Sequence, residues 1–365
     1  MNFEVNGYNI FIIVAVCFLS SLIFVQIMKK VAIFLKVLDV PNDPRKIHKK
    51  PMPLLGGLGI FFAFLLGYML FAPKNNLMIA VLIGSFLIML LGLFDDMTKS
   101  ETPMPNKYKV LVQLIVAAIV VFYGGLELTK ITLFGMTITF TSIPFLSEFL
   151  SILIIVATIN AINLIDGLDG LCAGISSIYF LTIAIIGFIL NKFGGLDVIL
   201  SLIMLGSTLG YLVHNFPPAR IYQGDAGSTF LGFMIAVIFL LGFKTTTLTS
   251  LIIPMLILAI PIMDTLFAII RRKIKGQSID HADKEHLHHQ LLKHFSKKSS
   301  LLVIYAINIL FSATTIFYVL GNKKTVICCY VVLMFIVLFL ILKTDIVFDW
   351  TSKKNKKNNR GEENK

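Results

Sequence analysis

The chain is 365 residues long, 57% hydrophobic and only 14% charged, with a mean hydropathy of +0.87 and a formal net charge of +12. Soluble globular domains carry about 25% charged residues, so this composition excludes a soluble enzyme, a disordered chain and a disulfide scaffold, and leaves a polytopic membrane protein. The surplus of Lys and Arg therefore asks first which side of a membrane it marks, and only then whether it binds nucleic acid.

A helix needs about 20 mostly apolar residues to cross about 30 Å of hydrocarbon. By that measure eleven spans run at roughly 8–28, 54–73, 77–94, 108–123, 146–163, 171–190, 196–214, 228–243, 247–270, 301–320 and 325–342. Before the first, Asn2 to Gly7 holds an acid and no base, and Lys29 and Lys30 follow it, which is the order of a permanent helix with its N-terminus outside, not of a cleavable signal. With that orientation 26 of the 32 Lys and Arg fall inside, a positive-inside pattern. Between the fourth and fifth spans, Leu128 to Thr141 alternates apolar and polar residues around Phe134-Gly135, which predicts a β-hairpin on the outer side. The expected fold is an all-α polytopic membrane protein of about eleven transmembrane helices, N-terminus outside and C-terminus cytoplasmic, with a small extracytoplasmic hairpin near 128–141. Residues 1–345 read as one integral membrane domain, and 346–365 as a basic, disordered cytoplasmic tail. Cys17, Cys172, Cys328 and Cys329 sit in or beside apolar runs and match no zinc or redox spacing.

Five inner segments hold polar residues too specific for linkers. In the first, Arg45, Lys46 and His48 lie in a loop stiffened by Pro41, Pro44, Pro51 and Pro53, and are cations suited to phosphate; a plain positive-inside loop is the alternative. The second is Asp95-Asp96 at the end of span three, either a Mg²⁺ or proton-acceptor site or two solvated acids, with Lys107 and Lys109 across a short loop. The third, Asn160 to Gly170, is the most specific: Asn163, Asp166 and Asp169 are three apart and share one face if the segment is helical, while Gly167 and Gly170 leave room for a ligand. The fourth, Gly224-Asp225-Ala226-Gly227-Ser228, offers free amides at a helix start and a hard oxygen ligand in Asp225. The fifth runs from His281 through Asp283, His286, His288 and His289 to His294; phosphate contacts suit it better than zinc, since Lys284 interrupts it and no Cys contributes. Asp264, deeper in span nine, either pairs with Arg271 or Arg272 or joins the site.

At these residues the chain resembles the polyprenyl-phosphate N-acetylhexosamine-1-phosphate transferases, and most of all their teichoic-acid-initiating branch. The likeness runs from about Asp39 to Leu292, through NAINLIDGLDGL, HNFPPARIYQGDAGSTFLGF, DTLFAIIRR and ADKEHLHHQLL. In the more distant phospho-MurNAc-pentapeptide transferases three histidines are consecutive, whereas Leu287 here separates His286 from His288-His289. The resemblance implies transfer of GlcNAc-1-phosphate from UDP-GlcNAc to undecaprenyl phosphate, with release of UMP, at the inner face of a bacterial plasma membrane. It also implies Mg²⁺, with Mn²⁺ as the substitute. Carried onto this sequence, Asp225 ligands the metal with Asn163 beside it. Asp95 and Asp96 orient or deprotonate the lipid phosphate, which Lys109 holds. Asp166 and Asp169 serve the metal–nucleotide side, and Lys46, His48, His286, His288 and His289 contact the diphosphate and sugar. The partners implied are the two substrates, not nucleic acid, and a homodimer is compatible. The alternatives are the same chemistry with another UDP-N-acetylhexosamine or the MurNAc-pentapeptide donor, and, more remotely, a transporter of a charged solute. Transporter sites lie near mid-bilayer, whereas these acids cluster at inner helix ends.

Overall fold

The structure, a computed structural model, describes residues 4–5, 7–41, 50–98, 104–133, 136–192, 194–244, 258–274, 287–321 and 328–336. Its helices are α1 (Ile10–Phe34), α2 (Gly56–Phe71), α3 (Asn76–Thr98), α4 (Asn106–Ala118), α5 (Leu146–Leu164), α6 (Leu171–Ile189), α7 (Leu196–Asn215), α8 (Gly224–Lys244), α9 (Ala259–Ile274), a short α10 (Leu287–Leu291) and α11 (Lys297–Val319). A π-helical turn, Ile119–Tyr123, prolongs α4, and residues 328–336 are helical as well. The protein is thus a mostly helical, multi-pass membrane protein; among the described residues eight helices are long and apolar enough to cross a bilayer. The 16-residue α2 is shorter than that measure. Two of the eleven expected spans lie partly outside the described residues: 245–257 of the ninth region, and all but 328–336 of the last. The tail 346–365 lies outside them too.

The alternating segment forms the expected hairpin: Lys130–Leu133 pairs antiparallel with Met136–Thr139, Ile131 opposite Ile138. Ser147 Oγ donates to the Leu128 carbonyl at 2.8 Å, and Ser151 Oγ accepts the Leu128 N–H at 2.8 Å, which fastens the hairpin's approach to α5.

Helix α8 is the axis of the molecule. Of its apolar window 94% is buried, against 28% for α1, α4 and α5, and α5, α3, α2, α7 and α6 all pack on it. Side-chain-free positions set the closest approaches, as small residues do where helix packing, not water, drives association. A Cβ on Gly92 of α3 would run into the backbone of Ala226, and one on Gly57 of α2 into the backbone of Gly227. Both contacts fall at the start of α8, so α3 at its end and α2 at its beginning close directly on the first turn of α8.

Candidate active site

Three of the five polar segments meet at that end among the described residues. Asp95 and Asp96 finish α3, yet their environments differ. Asp96 is 4% exposed; its Oδ1 accepts the Asp225 N–H at 2.8 Å and its Oδ2 the Ala226 N–H at 3.0 Å. The first amides of a helix have no partner within it, and a carboxylate there also meets the positive end of the dipole. The slot that would draw an anion to the start of α8 is therefore occupied by the chain's own Asp96. Gly224 makes this possible: its φ is +70°, and a Cβ there would collide with the Asp96 carboxylate.

Asp95 instead faces Lys109, from the first turn of α4. The Lys109 Nζ lies 2.6 Å from Asp95 Oδ2 and 3.1 Å from Asp225 Oδ2, so one ammonium bridges two carboxylates. Asp95 Oδ1 also accepts the Met104 N–H at 3.3 Å, which ties the backbone just before α4 to the same carboxylate. Without the ammonium the two acids would repel at short range. Asp95 is 2% exposed at its side chain, whereas Asp225 and Lys109 are 20% and 24% exposed, so these two present the trio to its surroundings.

The third segment is not helical throughout. Helix α5 stops at Leu164, and Asp166 and Asp169 sit in the turn before α6, where Gly170 has a φ of +79°. The expected single face of Asn163, Asp166 and Asp169 therefore does not form: Asn163 stays on α5, and the acids lie in the turn that Gly170 closes with its positive φ. Asn163 Nδ2 donates to Ser228 Oγ at 2.8 Å, which in turn donates to the Gly224 carbonyl at 3.1 Å. This leaves the Asn163 Oδ1 as an oxygen donor beside the first turn of α8. Asp169 Oδ2 accepts the Ala219 N–H at 3.3 Å, and the Tyr222 hydroxyl donates to the same carboxylate. Burial first, and then the negative charge of Asp169, push the Tyr222 hydroxyl above its ordinary range, so it is a proton donor at neutral pH.

Several residues that fix this geometry carry little signal in a single sequence. Asn215 ties the α5–α6 turn to the α7–α8 loop: its Oδ1 accepts the Gly170 N–H at 2.8 Å, and its Nδ2 donates to the Ile221 carbonyl at 2.9 Å. The Gly56 and Gly57 amides donate to the carbonyls of Tyr222 and Gln223 at 2.9 and 3.1 Å, which moors the start of α2 to the same loop. The Tyr305 hydroxyl of α11 donates to the Gly170 carbonyl. Tyr222 and Asn215 lie inside a stretch quoted for its likeness, but only their tertiary partners reveal what they do.

Lys46, His48 and His286 lie outside the described residues, as do the side chains of His288 and His289. The backbone of those last two belongs to α10, whose Leu287 N–H is accepted by Asp264 Oδ1 at 2.9 Å. Asp264, 6% exposed, thus anchors the helix that carries the histidine pair. Among the described residues no three His, Cys, Asp or Glu side chains form a ready-made metal cage. Mg²⁺ does not demand one, because it is usually held by one or two carboxylates together with substrate phosphates. The hard oxygens of Asp225 and Asn163 fit that donor chemistry.

Fold and site together define a multi-pass membrane protein with an acid–lysine centre at one end of its helices. A sequence profile described as glycosyl transferase family 4 matches residues 78–243, from the start of α3 to the end of α8. The chain is 40% identical over 313 residues to a probable undecaprenyl-phosphate N-acetylglucosaminyl 1-phosphate transferase of Bacillus subtilis (strain 168), a match covering 82% of each chain. It is 31% identical to a decaprenyl-phosphate N-acetylglucosaminephosphotransferase of Mycolicibacterium smegmatis, over 75% of this chain and 74% of the relative. With an undecaprenyl-phosphate alpha-N-acetylglucosaminyl 1-phosphate transferase of Salmonella typhi it shares 32% identity, over 76% of this chain and 74% of the relative. The chain belongs to the polyprenyl-phosphate N-acetylglucosamine-1-phosphate transferase family.

Proposed function

We propose that the protein transfers GlcNAc-1-phosphate from UDP-GlcNAc to undecaprenyl phosphate at the cytoplasmic face of a bacterial plasma membrane, the first lipid-linked step of a cell-wall polymer such as teichoic acid. The names of its relatives support the general reaction. The positive-inside pattern supports an N-terminus outside, eleven spans and a cytoplasmic site. The observation that carries the reading is the trio of Asp95, Lys109 and Asp225 at the ends of three helices, where a membrane-embedded acceptor can meet a soluble nucleotide sugar.

In the step itself, an oxygen of the lipid phosphate attacks the sugar-proximal phosphorus of the donor. A new P–O bond forms, the bond from that phosphorus to the bridging oxygen breaks, and UMP leaves with the electron pair. A phosphate monoester has its second pKa near about 6, so the acceptor is already largely ionised at neutral pH. Positioning and charge screening then matter more than a strong base. Lys109 supplies a cation at the attacking phosphate, held on line by Asp95. Asp96 acts one step away: by capping α8 it fixes where Asp225 points. Asp166 faces the nucleotide side, with Asp169 and Tyr222 holding the adjoining loop in place. Asp225 and the Asn163 Oδ1 would hold Mg²⁺, or Mn²⁺ in its place, which when bound neutralises diphosphate charge. Lys46, His48, His286, His288 and His289 complete the diphosphate and sugar contacts in this proposal.

The test uses membranes containing the full chain, UDP-GlcNAc, undecaprenyl phosphate and Mg²⁺. The expected result is a lipid-linked sugar diphosphate with stoichiometric UMP. Turnover that ignores chelation of the divalent ion, or that needs no polyprenyl phosphate, would sink the mechanism. The same assay across UDP-N-acetylhexosamines fixes the donor.

A further inference from the structure

Helix α4 carries Lys109, yet its apolar packing specifies its setting only loosely. Its buried residues are Gln113, Val116 and Ala117, while Leu111, Leu114 and Ile115 are 53%, 42% and 49% exposed. A stripe of valine and alanine is smooth and lets a helix turn or slide against its neighbours at little cost. A single buried polar pair is what fixes such a register. Gln113 supplies it: the residue is 2% exposed, and its Oε1 accepts from Asn160 Nδ2 of α5 at 2.7 Å. Gln113 lies four residues beyond Lys109, one turn along the same face of α4. Buried amides are costly unless bonded, and leucine would fill the same space, so packing alone gives no reason for an amide here.

The bond has a counterpart one turn along α5. Asn160 and Asn163 are three apart on that helix, and Asn163 Nδ2 donates to Ser228 Oγ of α8 at 2.8 Å. Helix α5 is therefore keyed by one asparagine to the helix that bears Lys109, and by the next to the helix that bears Asp225. The 3.1 Å approach of Lys109 Nζ to Asp225 Oδ2 closes the third side. That contact is partly exposed, and such ion pairs hold helices weakly. We propose that Gln113 is a positioning residue for the transfer reaction. Through its bond to Asn160 it sets the rotation of α4, and so places the Lys109 ammonium between Asp95 and Asp225. This role rests on the transfer reading above and extends the machinery by one helical turn beyond the reacting groups.

The experiment uses the full-length protein in nanodiscs. Asn160 Nδ2 also donates to the Val156 carbonyl at 2.7 Å, so Gln113→Leu strands no donor. Its Tm should fall by no more than about 2 °C, the scale of one hydrogen bond between membrane helices. Its kcat should fall by about 10- to 100-fold, the cost of a small misplacement of a catalytic group, with the KM for UDP-GlcNAc as in the parent. A second readout needs no turnover. A water-soluble amine reagent is applied, and modification of Lys109 is compared with that of Lys107, an exposed lysine at the start of the same helix. An ammonium clasped by two carboxylates reacts slowly, so the Lys109 to Lys107 ratio should rise severalfold in Gln113→Leu. The exchange of Gln113→Asn with Asn160→Gln moves one methylene across the interface and rebuilds the bond, so it should restore most of the turnover and the parental ratio. Parental kcat in Gln113→Leu overturns the proposal, and so does lost turnover at a parental ratio. A well-folded exchange variant as slow as Gln113→Leu overturns it too. Should Gln113→Leu not fold, Asn160→Leu removes the same bond from α5 and takes its place under the same criteria. If the parent makes no lipid-linked product yet the ratio responds as stated, the transfer reading fails and Gln113 still sets Lys109.

Discussion

The two acidic motifs, Asp95-Asp96 and Asp166 to Asp169, divide their labour alike. In each, one carboxylate is spent on the backbone of a neighbouring element: Asp96 on the amides of Asp225 and Ala226, and Asp169 on the amide of Ala219. The division is deeper in the first. Asp96 takes two amides and is 4% exposed, while Asp169 takes one at 3.3 Å in a half-buried turn. A pair of acids in a membrane protein therefore overstates the number of groups available for chemistry. The difference in burial ranks how much each anchor should matter.

The largest effect is expected at the residue that the first motif aims. Asp225→Asn should reduce turnover by at least about 10³-fold, the scale of losing one preorganised electrostatic contact in a phosphoryl-transfer site, with thermal stability in detergent close to the parent. Asp96→Asn should differ in kind. An amide puts an N–H₂ against a backbone N–H, so one buried donor loses its acceptor at a cost of about 1–3 kcal/mol. Tm should fall together with activity. Lost activity at an unchanged Tm would instead make Asp96 a chemical participant and erase the contrast between cap and centre.

Next in size is the approach that lets Asp96 reach α8 at all. Gly92→Ala places a Cβ against the backbone of Ala226, and overpacking of this kind costs about 1–3 kcal/mol. Because the strain falls at the first turn of α8, activity should drop more than the stability loss alone explains, by tens-fold, as read from kcat in folded protein. Equal activity would mean that the α3–α8 crossing tolerates a shift that leaves Asp225 in place.

Much of this arrangement is legible in the sequence for a simple reason. Hydropathy reports burial in lipid directly, so α1, α3 and α5 to α8 begin or end within a few residues of the expected spans. The hairpin is marked by its period of two and its Phe134-Gly135 break. What the sequence does not carry is which oxygen meets which amide. A spacing of three between Asn163, Asp166 and Asp169 is a helical signal that Gly167 and Gly170 cancel, since α5 ends at Leu164. The anion slot at Gly224-Asp225 looked open to a ligand because its occupant, Asp96, is 129 residues away in the chain. For Asp264 the spacing pointed to Arg271, Arg272 or the site, and gave no sign of its bond to the Leu287 amide, a partner that follows from tertiary packing.

The smallest effect is expected at the second anchor's outer contact. Tyr222→Phe removes one hydroxyl that donates to Asp169, a loss of about 0.5–1.5 kcal/mol for a single hydrogen bond. It should therefore cost less than Asp96→Asn in both Tm and kcat/KM. Its pH behaviour follows from the sign of the shift. The hydroxyl is raised above the ordinary tyrosine value of about 10, so it is protonated on both sides of the folding equilibrium from pH 6 to 9. Over that range parent and variant should show parallel stability profiles. Above about pH 10 the unfolded parent gains from ionising Tyr222 while the folded parent resists it, so the parent should lose stability faster than the variant as pH rises. A pH-dependent gap between pH 6 and 9 would mean that the Tyr222 proton is exchanged with a titrating neighbour, and that the second motif couples to the chemistry more closely than its single amide bond implies.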